Sequence, residues 1–231
     1  MAGQIIGIVG LIGSGKDTIA DYLVTQHNFT RESFASSLKD AVSDIFSWDR
    51  ELLDGRTEES RAWREVVDPW WAERLNIPHL TPRWVLQNFG TEACRKHFAD
   101  DIWIASLENK LRQRTDDVVI SDVRFPNEVK ALRKQGGKII RVRRGPEPEW
   151  FNIAIDANRH NDPKKIEELG KYGIHSSETA WIGLSFDNVF FNDGTIEQLC
   201  IEVRKYLALP LPTHCLETAA QQHSYDTQFV D

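Results

Sequence analysis

Cysteine is scarce in this chain. Cys94, Cys200 and Cys215 are the only three in 231 residues; they lie far apart, with no C-x-x-C pair and no histidine at finger spacing. That excludes a disulfide framework and a structural zinc and leaves reduced thiols. No apolar run approaches the roughly 20 residues that a membrane-spanning helix needs, and the opening MAGQIIGIVG has neither a basic n-region nor a cleavage site. The expectation is a cytoplasmic protein without a membrane partner. Positive charge is in deficit: 28 Lys and Arg stand against 35 Asp and Glu, a net charge of −7. This disfavours nucleic acid as a partner and confines any polyanion contact to a local basic pocket. Internal repeats are absent, and so is the N-K-x-D signature of guanine-specific switches. A composition of 41% hydrophobic and 27% charged residues excludes disorder, and the length suffices for a proper core.

Short β-branched apolar runs predict strands at 4–9, 31–34, 117–121, 138–142 and 188–191. A helical pattern with Ile19, Ala20, Leu23 and Val24 on one face follows the first run. Further helical stretches are expected at about 36–47, 57–76, 83–98, 101–114, 127–135 and 195–208. Alternating elements with near-continuous apolar strands predict an α/β fold: a parallel sheet of about five strands with helices on both faces. Residues 1–35 and 115–209 form this core. Residues 36–114 hold no convincing strand and carry six of the eight tryptophans, which reads as a helical insert. Pro146, Pro148 and Pro163 punctuate a polar segment over 145–183 that reads as a lid-like flap, and 210–231 as a loosely ordered tail.

Gly10-Leu11-Ile12-Gly13-Ser14-Gly15-Lys16-Asp17-Thr18 lies directly after the first strand and opens a helix. That is the setting of a phosphate loop, which places the core among P-loop NTPase-type folds. The glycines let backbone wrap around phosphate oxygens, the loop N–H groups and helix N-terminus supply positive potential, and Lys16 adds a mobile charge. Gly13, Ser14, Gly15, Lys16, Asp17 and Thr18 are therefore the candidate ATP contacts. The common form places Ser or Thr after the lysine; here Asp17 stands there and the hydroxyl follows at Thr18. Two readings of Asp17 stand side by side: a group that holds Mg²⁺, or a first-turn acid favoured by the helix dipole. Asp122, at the end of another strand, is the second candidate for the metal. Arg124 follows within reach of the transferred phosphoryl group or the acceptor phosphate. Arg141, Arg143 and Arg144 end the next strand at the mouth of the flap, where they suit clamping of a triphosphate, with Arg141 assigned to catalysis and Arg143 to ATP.

The loop form G-x-x-G-x-G-K-x-T resembles nucleoside monophosphate kinases. Phe34–Lys39 (FASSLK), Pro82–Arg95 (PRWVLQNFGTEACR), Asp101–Trp103 (DIW), Ser121–Glu128 (SDVRFPNE) and His175–Glu178 (HSSE) resemble phage-type deoxynucleoside monophosphate kinases, in joint order over about residues 4–208. The resemblance implies that Leu38, Lys39, Arg83, Gly90, Thr91, Arg95 and Trp103 line a monophosphate site in the insert, with Arg64 a further candidate. For Glu128 it implies a sugar or base contact, against which stands a plain helix first-turn acid. His175, Ser177 and Glu178 would shape the flap. The activity implied is Mg²⁺-assisted in-line transfer of the γ-phosphoryl group of ATP to a deoxynucleoside 5′-monophosphate, in a homodimer, in the host cytoplasm if phage-encoded. Two alternatives stay open: a kinase of another small acceptor, dephospho-coenzyme A-like or phosphomevalonate-like, and an ATP-binding regulatory module that transfers nothing.

Overall fold

The apolar runs become five strands: β1 (Ile5–Val9), β2 (Thr30–Glu32), β3 (Val118–Ile120), β4 (Lys138–Arg143) and β5 (Asn188–Phe191). They form one sheet in the order β2-β3-β1-β4-β5, parallel throughout. The register sets Ile6 beside Val119 and Ile8 beside Ile140. This computed structural model describes residues 3–174 and 176–212, the side chains of 176 and 177 excepted. His175, the Ser177 side chain and all of the tail beyond 212 lie outside the described residues. The chain forms two compact units, one running up to Glu32 and resuming at Arg114, the other Ser33–Gln113.

In the sheet unit, Ile6, Ile8, Val119, Ile140 and Val142 are shut off from solvent against Ile19, Leu23, Leu199 and Val203 of the helices Lys16–His27 and Ile196–Tyr206. Each large aliphatic side chain so buried contributes about 1.5–3 kcal/mol, which is why β-branched runs become central strands. The helix Lys16–His27 (α1) ends at Asn28 in the left-handed region, a residue that tolerates it. The segment 145–183, expected as a lid-like flap, holds the helices Phe151–His160, Pro163–Gly170 and Ser176–Thr179, which its sequence did not suggest. Pro163 starts a helix at its first position, where its missing N–H costs nothing. Phe151, Ala154, Ala157 and Trp181 of this segment are buried.

The second unit has its own core of Val42, Trp48, Leu53, Ala72, Leu80 and Val85. Trp48 stacks on Phe46 with ring centroids 4.5 Å apart and donates its indole N–H to Asp68 at 2.8 Å, while the Trp71 indole donates to the Phe46 carbonyl at 3.1 Å. The tryptophans are thus mostly core, with Trp70 as the exposed exception. The helix expected over 57–76 is two, Glu58–Trp63 and Pro69–Leu75, because Asp68 caps the second and Pro69 begins it. A short helix at Arg50–Asp54 went unread. The stretch expected over 83–98 changes character midway, from the α-helix Pro82–Gln87 to the π-helix Asn88–Lys96.

Candidate active site

Because the strands run in parallel, the loops leaving β1, β3, β4 and β5 emerge on one edge of the sheet, the edge where open α/β sheets bind ligands. The loop after β1 turns tightly, with the Ser14 N–H donating to the Leu11 carbonyl at 3.2 Å. Gly15 has φ 106°, and a Cβ there would meet Asn192 Nδ2 at 2.5 Å, so a side chain is excluded on both counts. Lys16 Nζ donates to the carbonyls of Gly10 at 2.8 Å and Leu11 at 2.9 Å. Burial lowers its pKa, partly opposed by the charges of Asp17 and Glu178, while Arg124 adds to the lowering.

Several features of this loop fit an anion. No side chain caps the first turn of α1, whose N–H groups are therefore left for a ligand. Ser14 is buried, and its Oγ has no hydrogen-bond partner among the described residues. A cavity of about 310 Å³ is lined by Gly13, Gly15, Lys16, Asp17, Thr18, Arg144 and Asn192, among others. A second, of about 210 Å³, lies between Leu11–Ser14 and Arg141–Arg144, with Glu147.

Asp17 is ion-paired with Arg31 of β2 and accepts a hydrogen bond from Ser121 Oγ at 3.2 Å. Asp122 follows Ser121 at the end of β3. Among the described residues no group of three or more His, Cys, Asp or Glu gathers as a metal cage. The donors present are hard oxygens and few, which suits Mg²⁺, an ion that fills most of its shell with water and substrate phosphates.

The arginines differ in how their charge is used. Arg124 pairs with Glu178, Nη1 to Oε1 at 2.7 Å, beside Lys16. Arg141 is paired with Glu147 and lies over the rings of Phe151, at 4.6 Å, and Trp181, at 5.2 Å. Arg143 lies 3.3 Å from the same carboxylate and donates to the Gly145 carbonyl at 3.1 Å. Glu128 accepts from the N–H groups of Arg124 and Phe125, at 2.7 and 3.0 Å, and so ties the loop after β3 to the helix Pro126–Lys134. Burial pushes its carboxyl up to about 7, against those two N–H groups and with help from Asp122.

In the second unit Lys39, Arg50 and Arg56 converge on Asp54, at 3.0, 2.8 and 3.4 Å. Burial would raise the Asp54 carboxyl, but Arg50 and Lys39 outweigh it and hold the pKa low. Arg64 lies against Gly55, where a Cβ would come within 2.1 Å of its Cζ. Its Nε is buried without a partner among the described residues. Burial, followed by the neighbouring Arg83 charge, lowers its pKa. Arg83 itself is paired with Glu65. Leu38 meets Gly90, whose carbonyl accepts the Trp103 indole N–H at 3.0 Å. Thr91 is exposed on the π-helix, and Arg95 is turned to Asp100, with Nη2 at 2.9 Å from its carboxylate. Lys39 with Asp54, Arg64 with Arg83, and Leu38 with Gly90 and Trp103 are thus brought together in this unit, whereas Arg95 is engaged elsewhere and Glu128 belongs to the sheet unit.

No family model matches the chain. A protein of Acanthamoeba polyphaga mimivirus, provisionally named a deoxynucleotide monophosphate kinase, is 32% identical over 233 residues, covering 95% of this chain and 99% of that protein. The deoxynucleoside-5′-monophosphate kinase of Escherichia phage T5 is 30% identical over 179 residues, 56% of this chain and 72% of its own length. The chain belongs to the deoxynucleotide monophosphate kinase family. Among solved structures it is similar to TT1252 from Thermus thermophilus (TM-score 0.45, 18% identity, 90% of this chain and 98% of that chain). A shikimate kinase from Aquifex aeolicus gives a TM-score of 0.43 and 12% identity, over 89% and 96%.

Three side chains around the site of this deoxynucleotide monophosphate kinase family member escaped the sequence reading. Arg31 pairs with Asp17, Asn192 Nδ2 donates to the Ser14 carbonyl at 2.9 Å, and Glu147 takes up Arg141 and Arg143. A charged residue inside a candidate strand could have flagged Arg31. The polar turn Asn192-Asp193-Gly194 directly after β5 was a comparable signal, since such turns end strands at the ligand edge.

Proposed function

We propose that this chain transfers the γ-phosphoryl group of ATP to the 5′-phosphate of a deoxynucleoside monophosphate, giving the diphosphate and ADP. The observation that carries the acceptor side is Arg64: a cation whose Nε is buried without a partner among the described residues, with Arg83 rather than a carboxylate as its strongest charged neighbour. Such a group gains most from a dianion, which a guanidinium can hold in bidentate fashion. Lys39, Arg83 and Arg95 would add positive charge on release from Asp54, Glu65 and Asp100, and Leu38, Gly90, Thr91 and Trp103 supply walls. The acceptor oxygen belongs to a phosphate that is already ionised at neutral pH, so the chemistry requires no strong general base.

On the donor side Gly13, Ser14, Gly15 and Thr18 wrap the phosphates and Lys16 shifts from its own loop carbonyls to their oxygens. Arg124 stands beside Lys16 for the moving phosphoryl group, while Arg141 and Arg143 act through Glu147 and the aromatic rings to hold the wall of the smaller cavity. Asp17, with Ser121 and Asp122, would hold Mg²⁺, which when bound supplies neutralisation of phosphate charge. Positioning and charge neutralisation carry the rate. No described helix is long and apolar enough to cross a membrane; a homodimer in the cytoplasm, the host's if the protein is phage-encoded, completes the reading.

Lys16→Ala tests the donor side. We expect ADP formation to fall to background while the far-ultraviolet circular dichroism stays that of the parent. Near-normal turnover by the folded variant would overturn the assignment.

A further inference from the structure

Asp17 stands where most phosphate loops carry a neutral hydroxyl, and it lines the larger cavity beside Lys16. An uncompensated carboxylate there repels any polyanion that enters. The compensation comes from β2. Arg31, only 15% exposed, directs Nη2 to Asp17 Oδ1 and to Ser121 Oγ, the latter at 2.6 Å, and Nη1 to Asp21 Oδ1 at 2.7 Å. Asp17 and Asp21 are four residues apart on one face of α1, so a single guanidinium spans both. Ser121 closes the arrangement through its own bond to Asp17.

We infer that Arg31 is a positioning residue that cancels the Asp17 charge at the mouth of the phosphate loop, and so lets a loop with an acid in the hydroxyl position accept a nucleotide. Arg124 and Glu178, whose charges also act on Lys16, pair with each other, and Arg144 lines the same cavity, while the cation in direct contact with Asp17 is Arg31. Asp21 is one helical turn further along α1 and contributes less. The inference rests on the nucleotide-binding reading above and deepens it.

The test is metal-free ADP binding, measured in EDTA by titration calorimetry on the full chain and three variants. Relative to the parent, Arg31→Gln leaves one surplus negative charge, Asp17→Asn one surplus positive charge, and the double variant neither. Affinity should follow that order: about tenfold weaker for Arg31→Gln, about tenfold tighter for Asp17→Asn, and close to the parent for the pair. A residue that merely held the fold would show no rescue, so a double variant as weak as Arg31→Gln overturns the inference. Equal affinity for all four proteins also overturns it. If Arg31→Gln fails to fold, Asp17→Asn decides alone, since an affinity no tighter than the parent's contradicts charge cancellation. Absence of ADP binding by the parent chain would instead contradict the nucleotide-binding reading, and the inference with it.

Discussion

Arg64 and Glu128 show how a single group's surroundings set its role. Arg64 is held against Gly55 with a buried Nε that has no partner among the described residues, and with a neighbouring cation. Removing it deletes the strongest available contact for a dianion. Arg64→Ala should therefore raise KM for the deoxynucleoside monophosphate about 100-fold, the effect of a charge-assisted pair of about 2–3 kcal/mol, and leave KM for ATP within about twofold. Steady-state kinetics with each substrate varied in turn checks this; an equal rise in both constants would contradict an acceptor role. Glu128 works in the opposite sense. Its carboxyl is held at about 7 against an ordinary 4.5, so between those values the folded chain keeps a proton that the unfolded chain releases. Its contribution is favourable at low pH and is lost as pH rises through that interval. Glu128→Gln should gain on the parent by roughly 3 kcal/mol from below pH 4.5 to above pH 7. Denaturant titrations at the two ends measure it, and a pH-independent difference would contradict it. Neither environment was legible in sequence, because the burial that sets it depends on residues distant in the chain.

At the scale of elements the sheet was legible and the insert was legible only in outline. Runs such as Val118-Val119-Ile120 leave few options: three successive buried β-branched residues belong in a central strand. The insert lacks that clarity because its helices are short and end on local chemistry, such as the Asp68 cap with Pro69 and the Thr81 cap with Pro82. The helices of 145–183 went unread for the same reason, since Pro163 opens one of them. The π-helix Asn88–Lys96 has no periodicity of its own in the sequence. Wider π turns recur at functional sites, and here one brings Gly90 against Leu38 and under the Trp103 indole. A Cβ at Gly90 would stand 2.7 Å from Leu38 Cδ2. Gly90→Ala should push Leu38 aside, at about 1–2 kcal/mol in stability, and raise KM for the monophosphate about tenfold with kcat for saturating acceptor less affected. Calorimetry and kinetics on the same preparation test both, and an unchanged KM would remove Gly90 from the acceptor wall.

For the whole molecule the division of labour follows from topology. Four of the five loops at the carboxyl edge of the sheet hold residues proposed for the donor side: the glycine loop after β1, Ser121–Arg124 after β3, Arg141–Arg144 ending β4, and Asn192 after β5. The cations proposed for a second phosphate, Arg64 with Arg83, lie in the other unit. The glycine loop was readable because its spacing is itself the geometry; the arginine set was readable only through likeness to a family, since lone arginines have no pattern. Asp17 shows the boundary between the two, a departure visible in sequence whose counterpart, Arg31, emerged only from the fold. The central claim is phosphoryl transfer between two nucleotides. Incubation with γ-labelled ATP, Mg²⁺ and each deoxynucleoside and ribonucleoside monophosphate in turn, with dephospho-coenzyme A and phosphomevalonate as rival acceptors, tests it most directly. We predict label in at least one deoxynucleoside diphosphate, formed only with its monophosphate present and in step with ADP. Label in none of them from chain that binds ATP, or label only in a rival acceptor's product, would contradict it.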